Sequence, residues 1–370
     1  MKFRSAIILL IISLTGCQPS ENDTSFSDNR LTAEEVLTLG DVEGPDEDTP
    51  LLSIVSAATT DDDGFIFLAD ARTQKIHAFT PEGEHRWTQG GEGPGPGEFE
   101  MISALYALDD ELFVMDGRKQ LVTVYSVDSE RKAETAINTD GTISNKMHIN
   151  PDAHAVIPHF DRDNETMVSL YSPDFREIRY QAINFDEIIH TDYPELEREV
   201  LHNNPGPAYL PDETTMVYAP FLYRGELLIY QKSNGQWHKQ ERISGYRDIE
   251  HTVKFHETSD SEHDRSHLSG FHPGGGGYFH TELQVISHGL FPQNDGTLTH
   301  LSSFLDEEED HWQLVVEYFD VEAGTLQNFY LIDNLSLPQQ LSKRPLWMDP
   351  DGRIFMSEDS ETPLRVLRVE

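Results

Sequence analysis

The chain has 370 residues, 66 acidic side chains against 27 basic ones, and a formal net charge of −39. Such a balance repels phosphate backbones and anionic lipid headgroups, which excludes nucleic acid as a partner and a basic patch as a membrane contact. It does not mean disorder: 37% of residues are hydrophobic and 10% aromatic, enough apolar surface to build a core.

The N-terminus reads "MKFRSAIILLIISLTGC". Lys2 and Arg4 make a basic start, and Ala6–Leu14 is a run of nine residues, apolar but for Ser13. A bilayer core needs about 20 apolar residues, so this run is too short to span and has the form of a secretory signal peptide over residues 1–16. Its tail, Leu14 to Cys17, resembles the bacterial lipobox, in which cleavage precedes the cysteine and the sulfur takes a lipid. Cys17 is the only cysteine, so it has no partner for an internal disulfide. The alternative is an ordinary signal peptide with a chance cysteine. Gln18 stands where an Asp would resemble an inner-membrane retention signal, which points to the outer membrane. Residues 17–30 then read as a flexible polar tether with a reach of roughly 20 Å.

From Leu31 onward the chain repeats a β pattern. Asp61 to Trp87 alternates turn and strand three times: the turn at Asp63-Gly64, "FIFLAD", a polar turn, "IHAFT", a turn at Pro81 to Gly83, and "EHRWTQ". The order recurs at "ELFVMD…LVTVYS" and again at "WMDPDGRIFMSEDSETPLRVLRVE". Asp70 and Asp116 occupy the same place in their units, 46 residues apart, where each ends a strand and can accept from nearby backbone amides. Less regular units cover about 144–183, 214–243 and 278–332. One stretch, Phe185 to Asn203, allows a short amphipathic helix on Ile188, Ile189, Leu196 and Val200, broken by Pro194.

Six units of four strands predict an all-β fold: a six-bladed β-propeller of four-stranded antiparallel blades over residues 31–370. The last unit supplies three strands, while "EEVLTLG" (Glu34 to Gly40) is left over at the front. Pairing it outside "LRVLRVE" closes the ring and leaves no bare edge. A β-sandwich, the rival, explains neither the matching units nor the leftover strands.

"GGEGPGPGEF" (Gly90 to Phe99) could cradle a phosphate or turn the chain. The dinucleotide pattern fails at Pro96, the P-loop lysine is missing, and Glu92 and Glu98 oppose an anion. A strand follows rather than a helix, so no helix N-terminus faces the loop. The segment reads as the crossing from one blade to the next, with Phe99 as an anchor between them. Its G-x-G-P-G-E-F, together with "DDDGFIFLADARTQKIHAFTPEG" before it, resembles the NHL-repeat pattern. More closely it resembles the six-bladed β-propeller lipoproteins of Bacteroidota and related bacteria. The likeness is good over about 50–127 and fair over 343–370. It implies a six-bladed ring behind a lipobox and carries over no catalytic residue.

The remaining polar clusters have simpler readings. His256 to His280 holds five histidines, among them His263 and His267 at helical spacing, but serines and glycines mark it as a loop inserted between blades four and five. Such a loop could close over the channel mouth. The carboxylates of "FDRDNE", "DFREI" and "DPDG" fall at hairpin turns and lack EF-hand spacing. No G-x-S-x-G, H-E-x-x-H or cysteine nucleophile is present. No catalytic, cofactor-binding or metal-binding residue is therefore assigned, and Cys17 alone is named, as the lipid attachment site.

Two functions follow. The first is a membrane-anchored binding or scaffold protein, tied to the bilayer by its acyl chains and presenting loops to a protein, peptide or glycan. The second is an enzyme of the calcium-dependent lactonase or lyase type, its ligands drawn from several blades. The first is preferred because no catalytic signature appears.

Overall fold

The computed structural model describes residues 29–40, 50–137, 146–150, 154–161, 165–188, 197–198, 200–201, 204–249, 253–258, 268–271, 278–306, 311–337, 344–357 and 364–369. Cys17 and most of the residues expected to form the signal peptide and tether lie outside them.

The blades form in chain order, each an antiparallel meander. Blade one runs Val55–Thr60, Ile66–Asp70, Lys75–Phe79 and His85–Gly90. Blade two spans 102–136, blade three 148–184 and blade four 208–244. Blade five is built from Val285–Pro292, Leu298–Asp306, His311–Asp320 and Thr325–Leu337. Blade six holds Arg344–Met348, Arg353–Ser357 and Leu364–Val369, and takes its fourth strand, Ala33–Leu39, from the front of the chain. Ala33 pairs with Val369 and Leu39 with Leu364, so the ring closes by the pairing the leftover strands implied. Pairing begins earlier still: Arg30–Leu31 adds a parallel fifth strand to blade five, and Arg30 ion-pairs with Asp333 there.

Inner strands of a blade carry side chains to both neighbours, so they must be apolar on both faces. Ile66–Asp70 is buried at every position. The core accordingly divides by blade interface. Phe67 and Ile76 of blade one meet Leu105 and Val114 of blade two. Phe113 and Met115 meet Ile157 and Tyr171 between blades two and three. Phe355 and Val366 meet Leu68 and Phe79 where the ring closes. Each such side chain contributes about 2 kcal/mol of apolar burial.

The crossing Gly90 to Phe99 is structural, as expected. Phe99 is buried among Ile76, Ala78, Ile102 and Leu105, and its N–H donates to the Gly91 carbonyl at 2.8 Å. Gly90 has φ +90°, and a Cβ there would stand 2.9 Å from the Gln74 carbonyl and from the Phe99 ring.

Two expectations shift. Blade five starts at Val285 rather than near 278, and Tyr278–Leu283 instead belongs to a separate three-stranded sheet with Val253–Thr258 and Leu268–Phe271. That sheet sits between blades four and five, where a loop was expected. The serine- and glycine-rich stretches lie between its strands, while the flanks "VKFHET" and "YFHTEL" alternate as strands do. His256 and His280 are paired in register there; His263 and His267 lie outside the described residues. Of the expected helix, the described residues show a 3-10 turn, Phe185–Glu187, and helical residues at 197–198 and 200–201. Ile188 and Val200 are buried, while Ile189 and Leu196 lie outside the described residues.

Candidate functional site

Each blade places one side chain from its innermost strand at the ring axis. They are Thr60, Tyr106, His148, Tyr209, Phe291 and Trp347. The Trp347 indole donates to Thr60 Oγ1 at 3.1 Å and meets the rings of Phe291 and Tyr106 edge-on, with centroids 5.3 and 6.3 Å away. Tyr106 Oη lies 2.9 Å from His148 Nδ1, and the His148 ring stands 4.6 Å from that of Tyr209.

The chemistry fixes the His148 tautomer. Its Nε2 faces the Leu210 carbonyl at 3.3 Å, and a carbonyl only accepts, so Nε2 carries the proton. Nδ1 is then bare and accepts from the Tyr106 hydroxyl. Burial lowers the His148 pKa to about 4, so the ring is neutral at physiological pH. Burial likewise raises the Tyr106 phenol, which keeps its proton and donates.

A second group of axial side chains is basic. Lys146, two residues before His148, donates to the Leu346 carbonyl at 2.9 Å. Lys146 belongs to blade three and Leu346 to blade six, the blade opposite in a ring of six, so this side chain crosses the ring. Its Nζ also lies 5.6 Å from the centre of the Phe291 ring. Arg344 opens the inner strand of blade six, and His288 lies on that of blade five with Nε2 2.7 Å from Ser303 Oγ. Burial, and then repulsion from Arg344, lowers the Lys146 pKa to about 7. Burial pushes Arg344 down. His288 falls well below the ordinary imidazole value through burial, then repulsion from Lys146, Arg344 and His300. Yet Lys146, His148, Tyr209, Arg344 and Trp347 all keep partial solvent access. Groups enclosed by protein yet still touched by solvent are what a narrow channel exposes.

A third constellation lies inside blade five. Ser287 Oγ is 2.8 Å from His300 Nε2, and His300 Nδ1 is 2.9 Å from Glu317 Oε2. Glu317 Oε1 accepts from Tyr223 Oη at 3.2 Å and from the Tyr246 N–H at 2.8 Å. The order of bonds matches a nucleophile–base–carboxylate relay. The site is closed, however: Ser287, His300 and Glu317 are 4%, 0% and 0% exposed. Its role is to tie three strands of blade five to Tyr223 and Tyr246 beside blade four. Similar straps join His159 to Ser169 and His77 to Thr88 within their blades.

The acidic turns behave as turns. Asp349 accepts from the N–H groups of Asp351 and Arg353 and pairs with the Arg353 guanidinium at 2.6 Å. Asp174 accepts from Ser172 Oγ and the Arg176 N–H. Arg162, Asp163 and Asn164 lie outside the described residues. Asp70 accepts from the N–H groups of Ser53, Arg72 and Thr73, and Asp116 from those of Glu100, Met101, Arg118 and Lys119. Each carboxylate thus staples a strand end to the segment that enters its own blade. Among the described residues, no group of three or more His, Cys, Asp or Glu side chains is placed to hold a metal ion.

Sequence reasoning did not find the axial residues. They come from six strands spread over nearly 300 positions, from Thr60 to Trp347, and no local motif joins them. The available signal was an aromatic or imidazole residue on the inner strand of five of the six blades.

Comparison with known proteins supports the fold alone. No protein-family model matches the chain, and no curated protein matches it. Among solved structures, it resembles a protein described as exported from Bacteroides fragilis, with a TM-score of 0.51 and 10% identity over 94% of this chain and 96% of that one. It also resembles a member of the DUF4221 family from Bacteroides vulgatus, with a TM-score of 0.50 and 9% identity over 92% of this chain and 98% of that one.

Proposed function

We propose that this protein is an extracytoplasmic, lipid-anchored binding protein whose ligand enters the axial channel. The observation that carries the reading is the girdle of Tyr106, His148, Tyr209, Phe291 and Trp347. Five blades give it flat side chains, three of them partly open to solvent. Flat aromatic faces with few polar groups suit the body of a small organic ligand or one residue of a peptide or glycan. The signal sequence and Cys17 support export and anchoring, and the likeness to an exported Bacteroides protein agrees with them.

The calcium-dependent hydrolase reading needs carboxylates turned toward the axis. The described axial side chains, Thr60 apart, are aromatic or basic, which disfavours a divalent cation there, and the one relay of catalytic form is sealed inside blade five. Binding is therefore the function the geometry supports best.

A ligand screen by thermal shift and tryptophan fluorescence tests it, with Trp347→Ala as the control. The expected result is that ligands found with the native protein lose their effect in the variant. Ligands that bind both proteins equally would place the site elsewhere.

A further inference from the structure

We infer that Arg344, Lys146 and His288 form a receptor for the carboxylate of a small molecule whose flat body lies against Trp347. The inference rests on the axial-binding reading and adds the chemical class of ligand.

The charge distribution is the first argument. In a chain whose acids outnumber its bases 66 to 27, these basic groups lie close enough for the charge of one to act on the next. Lys146 feels Arg344, and His288 feels both, with each interaction opposing the charged form. Their placement is geometric: Lys146 reaches from blade three to the Leu346 carbonyl, Arg344 lies two residues from that carbonyl, and His288 sits buried on the inner strand of blade five. Three blades converge on one spot.

The second argument is Arg344 itself. Its guanidinium makes no ion pair and no hydrogen bond among the described residues, though burial lowers its pKa. A guanidinium offers five donors in a rigid fork that matches a carboxylate, and leaving such a charge enclosed and unmatched is costly. A bound carboxylate supplies the acceptors that Arg344 lacks among the described residues and turns the repulsion between Arg344 and Lys146 into shared attraction. A single negative charge fits better than two, because the acidic outer surface opposes the approach of a multiply charged anion.

The third argument is the wall beside the bases. Phe291, itself buried, lies under the Lys146 ammonium and backs Trp347 edge-on, so the partly open indole gives an apolar face where the charges end. A carboxylate on a flat ring can satisfy both at once.

Benzoate, acetate, inorganic phosphate and neutral benzamide are the probes, titrated by calorimetry at constant ionic strength into the native protein and into Arg344→Gln, Lys146→Gln and Trp347→Ala. Circular dichroism and thermal melts establish that each variant is folded. The expected result is one benzoate site per chain, with acetate, phosphate and benzamide all weaker. Benzoate affinity falls roughly tenfold or more in Arg344→Gln. With no ligand added, Arg344→Gln melts no lower than the native protein, because it removes an enclosed charge that no described residue matches. If benzoate and benzamide bind alike, lose affinity in Trp347→Ala and keep it in Arg344→Gln, the channel binds ligands but the carboxylate receptor is wrong. If phosphate binds as tightly as benzoate, the assignment to a carboxylate on a flat body fails. If no probe binds, or binding survives every variant, the receptor is overturned. The broader axial reading then stands or falls on the neutral-ligand screen with Trp347→Ala.

Discussion

The Trp347 indole N–H reaches Thr60 Oγ1 at 3.1 Å, so the last blade grips the first at the axis. Trp347 also packs against three of the hydrophobic clusters. Trp347→Ala is expected to cost about 3 kcal/mol, within the range for truncating a large aromatic side chain. Trp347→Phe keeps most of the packing and loses the hydrogen bond, at about 1 kcal/mol. Urea denaturation of the two variants measures both values. Equal losses would mean that the hydrogen bond, and not the packing, holds this contact.

At the rim, Ala33–Leu39 covers the edge of Leu364–Val369. Removing residues 29–40 bares that edge and takes Leu39 out of the core it shares with Leu364 and Val366. The truncated protein is expected to melt well below the native one and to self-associate. An unchanged melting temperature with a monomeric profile in size-exclusion chromatography would show that the ring does not depend on this closure.

The fold was legible because propeller blades are local. Each meander pairs strands adjacent in sequence, so the apolar runs, the turn residues and the strand-ending aspartate, Asp70 in blade one and Asp116 in blade two, recur within each unit. Even the long-range closure could be read by counting strands at the two ends. The inserted sheet was not legible, because serine and glycine runs dominate its composition and hide short strands such as "LSGF". The axial site was hidden for a different reason. Lys146 and Leu346 are 200 residues apart, and only the curvature of the ring brings them to 2.9 Å. The relay of Ser287, His300 and Glu317 left a faint mark, single polar residues within otherwise apolar strands, but its closure is a property of packing that no spacing reveals.

Cys17 carries the proposed anchor, and its test is independent of the fold. Cys17→Ser should release the mature domain from the membrane fraction, because the acidic surface has little attraction for anionic headgroups. Fractionation in a bacterial host, with the protein followed by immunoblot, reads the outcome. A variant that still sediments with membranes would mean that something other than acylation holds it there.

His148 gives the ring a defined response to acid. Its pKa is lowered from 6.5 to about 4 in the folded chain, first by burial, with the hydrogen bond to Leu210 opposing the shift. Unfolded chains therefore bind more protons than folded ones between those two values, and stability falls as pH drops through that window. The loss attributable to this residue approaches about 1.4 kcal/mol per pH unit in the middle of the window and levels off below the folded value. Carboxylates titrate in part of the same range, so the informative quantity is the difference between the native protein and His148→Gln. Glutamine can keep a donor toward the Leu210 carbonyl and cannot take up a proton. The melting temperature of the native protein should fall more steeply than that of the variant between pH 6.5 and 4. Parallel curves would mean that the imidazole is no more enclosed in the folded chain than in the unfolded one, and the neutral, Nε2-protonated ring in the axial girdle would have to be abandoned.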